Sequence, residues 1–336
     1  MAAGGIDLVN GTHAVVQEWV RFRHLGIAVI DEQHKFGVRQ RTSLQAKGSR
    51  PHLLVMTATP IPRTLALTLY GDLDVSVIDE MPPGRRPVKT LVRPRSRMRE
   101  SLEFVREQLR AGDQAYFVYP LIDDSDDLPL KSATRMAKEL QAGPFREFRV
   151  GLLHGGMKGE EKESVLESFR RGATRVLVST LVIEVGIDVP RATILVVEHA
   201  ERYGLSQLHQ LRGRVGRPLP PGAKTGPCYC ILFGNPSTPE AQKRLRALAE
   251  TGDGFKIAEE DLRIRGPGEM IGLRQSGIPE FRVADPVRDA AVLMQAREDA
   301  GRLLASDPGL KGGECVELRM FLKRRYGGAE VLLGSG

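Results

Sequence analysis

The sequence predicts an α/β fold built on parallel sheets, and two observations carry this prediction. Short apolar runs recur along the chain, end in small or polar residues and are separated by helical stretches. This β-then-α alternation is the pattern of a parallel sheet. In addition, the strand predicted over 25–30 runs into Asp31-Glu32-Gln33-His34, so two adjacent acids fall where a buried strand should end.

The pair Asp31-Glu32 is the first candidate for chemistry. Because parallel sheets bind ligands at the carboxyl ends of their strands, both carboxylates are expected at such an edge. One acid can hold Mg²⁺, mainly through water, and the next can polarise the water that attacks a γ-phosphate. The alternative is a strand that ends in two solvated acids, and these residues alone leave both interpretations open.

The composition is that of an ordinary globular protein with a basic balance. The 336 residues suffice for two or three domains, and the formal net charge of +7 suits a polyanion partner. The cysteines Cys228, Cys230 and Cys315 are too badly spaced for a zinc site or a disulfide framework, so we expect small buried side chains in a reducing cytoplasm. No apolar run reaches the length of a membrane span, so no membrane partner is expected.

Secondary structure is predicted from periodicity and from breakers. Strands are predicted over 6–10, 25–30, 52–56, 114–119, 148–153, 175–178, 193–197 and 228–233. Helices are predicted over 102–110, 134–140, 159–171, 239–250 and 286–304. The stiff, basic stretch 82–87 is the predicted domain boundary.

The octet Gln210–Arg217 is the strongest single motif, because it places three arginines among glycines near the start or end of a helix. Arginine is always charged and offers a planar fork to phosphate oxygens, and glycine lets the backbone come close to a ligand. An arginine that a second domain delivers to a γ-phosphate on the first is an arginine finger. A solvated basic turn is the alternative.

These motifs carry a resemblance to a known family. Residues 31–34, 57–59, 183–190 and 210–217 are similar to motifs II, III, V and VI of superfamily 2 helicases. With their flanks they resemble the bacterial branch-migration helicase RecG. Residues 253–277 resemble the translocation motif that RecG shares with the transcription-repair coupling factor Mfd, and Pro82-Pro83-Gly84-Arg85 favours RecG over Mfd.

The resemblance implies a role for each matching residue. Asp31 would organise Mg²⁺, Glu32 would activate the attacking water, and Gln33 and His34 would sense the γ-phosphate and relay to the second domain. Contacts to ATP are implied for Gly186, Asp188, Gln210, Arg214 and Arg217, with Arg217 as the arginine finger. Contacts to DNA are implied for Thr12, His13, His154 and Gly155, and Thr57 and Thr59 would link hydrolysis to motion. A helical hairpin and loop would push on duplex DNA through Arg263, Arg265, Arg274 and Gln275.

The resemblance also implies an architecture of tandem RecA-like parallel-sheet motor domains, the first one incomplete, followed by a mainly helical translocation-motif tail. The expected segments are 1–84 with motifs Ib, II and III, 85–238 with motifs IV, V and VI, and 239–336. RecG-like proteins carry a Walker A loop, Gly-x-x-x-x-Gly-Lys-Ser/Thr, upstream of the Asp-Glu strand, and these residues contain no such string. They are therefore expected to correspond to the carboxyl-terminal part of a RecG-type helicase, without the Walker A loop and the wedge domain.

The implied function is ATP-dependent translocation on branched duplex DNA by a cytoplasmic monomer, with regression of stalled forks and migration of Holliday junctions in repair and recombination. Two alternatives remain open on the sequence: an Mfd-like duplex translocase, and a non-catalytic DNA-binding remnant of a truncated helicase. The chain by itself is expected to be nearly inactive as an ATPase, because the phosphate-cradling loop and its lysine are absent from it.

Overall fold

The computed structural model of the protein describes residues 4–31, 44, 47–48, 51–57, 74–120, 127–180, 188–219, 222, 226–265 and 288–326. The chain divides into two compact units, Met1–Ser76 with Pro267–Gly336, and Val77–Gly266. In chain order the strands of the described residues are β1 Ile27–Ile30, β2 His52–Val55, β3 Val88–Arg93, β4 Gln114–Val118, β5 Val150–Leu153, β6 Val176–Ser179, β7 Ala192–Val197 and β8 Cys228–Phe233. The α-helices of the same residues are α1 Met98–Arg110, α2 Asp127–Ala142, α3 Gly159–Arg170, α4 Leu205–Arg212, α5 Pro239–Glu250, α6 Gly254–Arg265, α7 Ala290–Ser306 and α8 Val316–Tyr326.

The first unit contains a parallel pair of strands, β1 and β2. Their register runs from Ile27 opposite His52 to Ile30 opposite Val55. Ile30 is buried, and the exposed Asp31 follows it directly at the carboxyl end of β1. The parallel pairing and the acid at the end of the strand are therefore as the sequence predicts.

The strand predicted over 6–10 is wrong. This segment is irregular, and its apolar side chains are open to solvent, with Ile6 53% and Leu8 88% exposed. A strand requires a neighbouring strand that shares its backbone hydrogen bonds, and apolar residues alone do not supply one. The chain instead enters a short 3₁₀ helix, His13–Val16, whose first turn closes when the Val15 amide donates to the Thr12 carbonyl at 3.0 Å.

The second unit is built on an all-parallel sheet in the order β3-β8-β7-β4-β6-β5. Helices cover both faces, so β4 is buried at every residue, as is typical of a central parallel strand. Ala115 and Phe117 point toward α1 and α2, while Tyr116 and Val118 join a second cluster with α3, α4 and α5. The predicted α/β fold on a parallel sheet is confirmed.

Some elements were not predicted. Among the described strands, β3 pairs with β8 alone at the edge of the sheet, and it begins immediately after the basic stretch 82–87. Its sequence carries Lys89 and Arg93, whose charges disfavour pairing of the exposed edge with another chain. The same charges interrupt the apolar run by which a strand is predicted. Periodicity also missed helix α6, where the resemblance implies a helical hairpin, and its buried Ile257 joins the same core cluster as α4 and α5.

Candidate functional site

The segments singled out in the second unit lie at opposite ends of its sheet. His154 and Gly155 follow β5 at the carboxyl end, whereas Asp188 precedes β7 and residues Gly213–Arg217 precede β8 at the amino end. We call Gly213–Arg217 the arginine loop. Parallel strands of this sheet are 4 to 6 residues long, and at about 3.3 Å per residue they separate the two ends by roughly 13 to 20 Å.

The arginine loop begins where α4 ends. The Gly213 amide closes the last turn of α4 by donating to the His209 carbonyl at 3.0 Å. Gly216 has a φ of 81°, and a Cβ atom there would lie 2.7 Å from the carbonyl oxygen of Arg86. Only glycine therefore fits this position, and the octet stands at the end of a helix, one of the two placements that the sequence left open.

Two further arginines hold the backbone of the arginine loop. Arg85 Nη2 donates to the carbonyl oxygens of Gly213 at 2.7 Å and Val215 at 3.4 Å. The Arg86 amide donates to the Gly216 carbonyl at 2.9 Å. Sequence reasoning missed both residues, because a Pro-Pro-Gly-Arg-Arg stretch is typical of a linker; its only signal was an unusual density of charge beside prolines.

The loop brings together two of the predicted nucleotide residues, Arg217 and Asp188. Arg217 Nε lies 3.8 Å from Asp188 Oδ1, and these side chains are 29% and 69% exposed. Such a long contact to a solvated acid is a weak ion pair. The Nε atom is buried and has no hydrogen-bond partner among the described residues, while the Arg217 side chain as a whole is 29% exposed.

The electrostatics of the loop favour an anion. Burial and the neighbouring positive charges of Arg217 and Arg214 lower the pKa of Arg85. Cations that destabilise one another in this way stabilise a bound polyanion such as a phosphate chain. Gln210, in the last turn of α4, and Arg214, two residues after that helix, are half-buried.

Arg212, the remaining arginine of the octet, is a structural residue. Its buried Nη1 donates to the carbonyl oxygens of Leu248 and Thr251, both at 2.8 Å, at the C-terminus of α5. Its Nη2 lies 2.9 Å from Nδ1 of His209. Burial and the charge of Arg212 lower the pKa of His209 to about 4, so the ring is neutral and Nδ1 accepts this hydrogen bond.

Helix α4 is also tied to α6 at its amino end. Ser206 Oγ donates to Oδ2 of the buried Asp261 at 3.0 Å. Helix α6 carries two of the predicted coupling residues, Arg263 and Arg265. Arg263 is exposed and pairs with Glu260 one turn earlier, and Arg265 is the last residue of the helix.

The carboxyl end of the sheet presents a different set of groups. His154 Nδ1 is buried and unpartnered among the described residues, and the Gly155 carbonyl accepts from Lys162 Nζ at 2.7 Å. Glu198 follows β7, is 1% exposed and lies 3.7 Å from Nε of Arg95. Burial raises its pKa to about 7, against the opposing effect of Arg95.

The first unit contributes three exposed candidates. Asp31 stands at the end of β1, Thr12 precedes the 3₁₀ helix, and Thr57 follows β2. An exposed carboxylate at a strand end fits Mg²⁺, which is commonly held by one or two carboxylates together with waters and substrate phosphates. The residues that fall outside the described part of the chain are Glu32, Gln33, His34, Thr59, Gly186, Arg274 and Gln275.

Other kinds of site find no support in the part of the chain that the structure describes. There, no group of three His, Cys, Asp or Glu side chains is placed to hold a metal ion. Cys228, Cys230 and Cys315 are free and buried, as expected. No described helix has both the length and the apolar character needed to cross a bilayer.

A helix-covered parallel sheet with an arginine-rich loop at a helix end defines the carboxyl-terminal motor domain of a helicase. Residues 100–218 match the family model described as the helicase conserved C-terminal domain. Residues 251–325 match the model for the C-terminal part of domain 3 of ATP-dependent DNA helicase RecG. Over most of its length the chain is therefore similar to the ATP-dependent DNA helicase RecG.

Individual relatives agree with this assignment. The chain is 50% identical to the ATP-dependent DNA helicase RecG of Synechocystis sp. over 100% of its own length and 39% of the relative's. It is 54% identical to that of Thermotoga maritima over 88% of its own length and 37% of the relative's. A solved RecG bound to a three-way DNA junction superposes with a TM-score of 0.62 at 49% identity, over 86% of this chain and 36% of that one. The chain thus spans less than half the length of these relatives.

Proposed function

We propose that this chain supplies motor and tail segments of a RecG-type helicase that uses ATP and Mg²⁺ to move on branched duplex DNA, regressing forks and migrating Holliday junctions. The observation that carries the proposal is the arginine loop. Its backbone is held by Arg85 and Arg86, and the buried Nε of Arg217 is left without a hydrogen-bond partner among the described residues. A preorganised donor of this kind is what phosphoryl transfer requires of an arginine finger.

The nucleotide contacts that this chain supplies are assigned to individual residues. Arg217 acts as the finger, and Arg214, Gln210, Asp188 and Gly186 surround the phosphates. Asp31 holds Mg²⁺ mainly through water, while Glu32 orients the attacking water, with Gln33 and His34 as sensors. Bound Mg²⁺ would neutralise charge that develops on the phosphate oxygens.

DNA contacts are assigned to the groups away from the arginine loop. His154 and Gly155 lie at the carboxyl end of the sheet, separated from the loop by the length of the strands. Thr12 and His13 supply the corresponding contacts on the first unit. The net charge of +7 suits this partner, and branched DNA is inferred because a RecG at 49% identity has been solved on a three-way junction. We extend the proposal to a cytoplasmic monomer.

Helix α4 is the element to which we assign the coupling between ATP hydrolysis and DNA movement. That helix carries the arginine loop at one end, and its Arg212 and Ser206 bind α5 and α6. A shift of the arginines on hydrolysis would therefore move α6, with Arg263 and Arg265, toward or away from DNA. Thr57, Thr59, Arg274 and Gln275 complete the proposed coupling set.

The proposal is tested with a chimaera in which the upstream, Walker A-containing part of a RecG relative is joined to this chain. We expect the chimaera to hydrolyse ATP in the presence of forked DNA and to unwind the fork, whereas the 336-residue chain alone does neither at a measurable rate. Hydrolysis by the chimaera that is indifferent to DNA would refute the helicase assignment. Turnover of ordinary size by the chain alone would refute the nucleotide site as drawn.

A further inference from the structure

Arg86 connects the arginine loop to the segment that carries Asp188. Its Nε donates to the Arg217 carbonyl at 3.3 Å, and its Nη2 donates to the Pro190 carbonyl at 2.9 Å. Its Nη1 reaches the Gly226 carbonyl, directly before β8, at 3.3 Å. One guanidinium therefore fixes three backbone segments at the amino end of the sheet.

Arg85 acts on the other half of the same loop. Its hydrogen bonds to Gly213 and Val215, together with those of Arg86 to Gly216 and Arg217, occupy four of the five carbonyl oxygens of the arginine loop. Because these carbonyl groups point toward residues 85–86, the backbone path of the arginine loop is fixed. The side chains of Arg214 and Arg217 are placed by that path.

From this geometry we infer that Arg85 and Arg86 are positioning residues for the arginine finger: they hold Arg217 and the Asp188 segment at a fixed separation by binding backbone oxygens rather than substrate. The inference rests on the proposed function for the role of Arg217, but the geometric claim stands on its own. A finger misplaced by about 1 Å loses much of its effect on rate, so a backbone support of this kind has a kinetic consequence.

The positioning role of Arg86 depends on the planar, forked shape of its guanidinium group. A lysine would keep the positive charge, but its single ammonium cannot span the carbonyl oxygens of Arg217, Pro190 and Gly226 together. Arg86→Lys is therefore expected to behave like Arg86→Ala, whereas a role through charge alone predicts that Arg86→Lys is normal. Arg171→Ala is the matched control, because Arg171 directly after α3 is 74% exposed and pairs with Glu167 on that helix.

The first measurement uses the chain itself and needs no catalysis. Amide hydrogen exchange over residues 213–219 is expected to become roughly tenfold faster in Arg86→Ala and Arg86→Lys, since both lose the side-chain hydrogen bond to the Arg217 carbonyl and the bonds that tie it to Pro190 and Gly226. Exchange in β4 should stay at the parental rate, as should the loop in Arg171→Ala. Unchanged exchange in the loop of the Arg86 variants would overturn the inference.

The second measurement uses the chimaera and separates positioning from general stability. Arg86→Ala should lower kcat at least about tenfold with little change in KM for ATP, at a temperature well below its melting point. In an Arg217→Ala background the same change should cost no more than about twofold, because Arg86 acts through Arg217. If the fold losses in kcat of the two single variants multiply in the double variant, the inference is overturned. An inactive parental chimaera would count against the proposed function, and the hydrogen-exchange result would then decide the positioning claim.

Discussion

The guanidinium of Arg212 donates to the carbonyl oxygen of Leu248 at 2.8 Å, which ties the helix before the arginine loop to the end of α5. A cation at a helix C-terminus satisfies carbonyls that lack intrahelical partners and interacts favourably with the helix dipole. This contact assigns Arg212 a structural role and leaves Arg214 and Arg217 for chemistry.

Arg212→Ala should therefore destabilise the second unit. Removing the side chain leaves the Leu248 and Thr251 carbonyl oxygens without their donor, which costs about 2 to 4 kcal/mol at typical values for charged hydrogen bonds. Urea denaturation of the chain measures this loss. Arg246→Ala, on the exposed face of α5, is the control and should change the free energy of unfolding by less than about 0.5 kcal/mol. Equal losses in the two variants would contradict the structural role.

Glu198→Gln should alter how stability depends on pH. Because the folded pKa of about 7 lies above the ordinary 4.5, the carboxyl keeps its proton in the folded state while the unfolded chain ionises. Its contribution to stability is full below about pH 4.5 and is lost as the pH rises through about 7. The glutamine variant should gain up to about 3 kcal/mol relative to the parent between about pH 4.5 and pH 8.

Chemical denaturation of both proteins across that pH range measures the effect of Glu198. Glu240→Gln is the control, since Glu240 is exposed in the first turn of α5. Parallel stability curves for Glu198→Gln and the parent would mean that Glu198 is ionised in the folded protein throughout.

Arg217→Ala in the chimaera should reduce kcat by about 10³ to 10⁵, the range in which arginine fingers act. The side chain stabilises charge on the transferred phosphoryl group, so binding of ATP should change much less than turnover. Steady-state ATPase assays on forked DNA separate the two. A loss below about tenfold would move the finger role to Arg214.

Glu32→Gln in the chimaera should abolish hydrolysis while nucleotide affinity stays close to that of the parent. The carboxylate orients water in the transition state and contributes little to ground-state binding. Affinity is measured with a fluorescent nucleotide and turnover by phosphate release. If both fall together, the residue supports the structure of the site instead.

Arg265→Ala and Gln275→Ala should separate ATP turnover from unwinding. We expect DNA-dependent ATPase activity largely in place and fork unwinding impaired, because these residues belong to the proposed coupling segment rather than to the phosphate site. Arg263→Ala tests the neighbouring exposed position on α6. Unchanged values for both activities would indicate a solvated turn, and equal loss of both would indicate a nucleotide contact.

Local patterns determined much of this protein from the sequence alone. Buried parallel strands are continuous apolar runs, so β4, β7 and β8 could be predicted within one or two residues. The acid after β1 and the arginine-rich octet at a helix end could be read in the same way, because both depend on neighbours in the chain. The strand predicted over 6–10 failed, since pairing requires a partner that periodicity does not reveal.

Only the tertiary structure shows which backbone groups Arg85 and Arg212 bind. Arg85 meets the Gly213 carbonyl across 128 residues of sequence, and Arg212 meets Leu248 across 36. No local pattern specifies such contacts, because they depend on the order of strands in the sheet and on which loops share its amino end. The same strand order places the arginine loop at the amino end of the sheet and His154 and Gly155 at the carboxyl end. It also brings residues 82–87, which resemble a linker in the sequence, into contact with the arginine loop of the candidate nucleotide site.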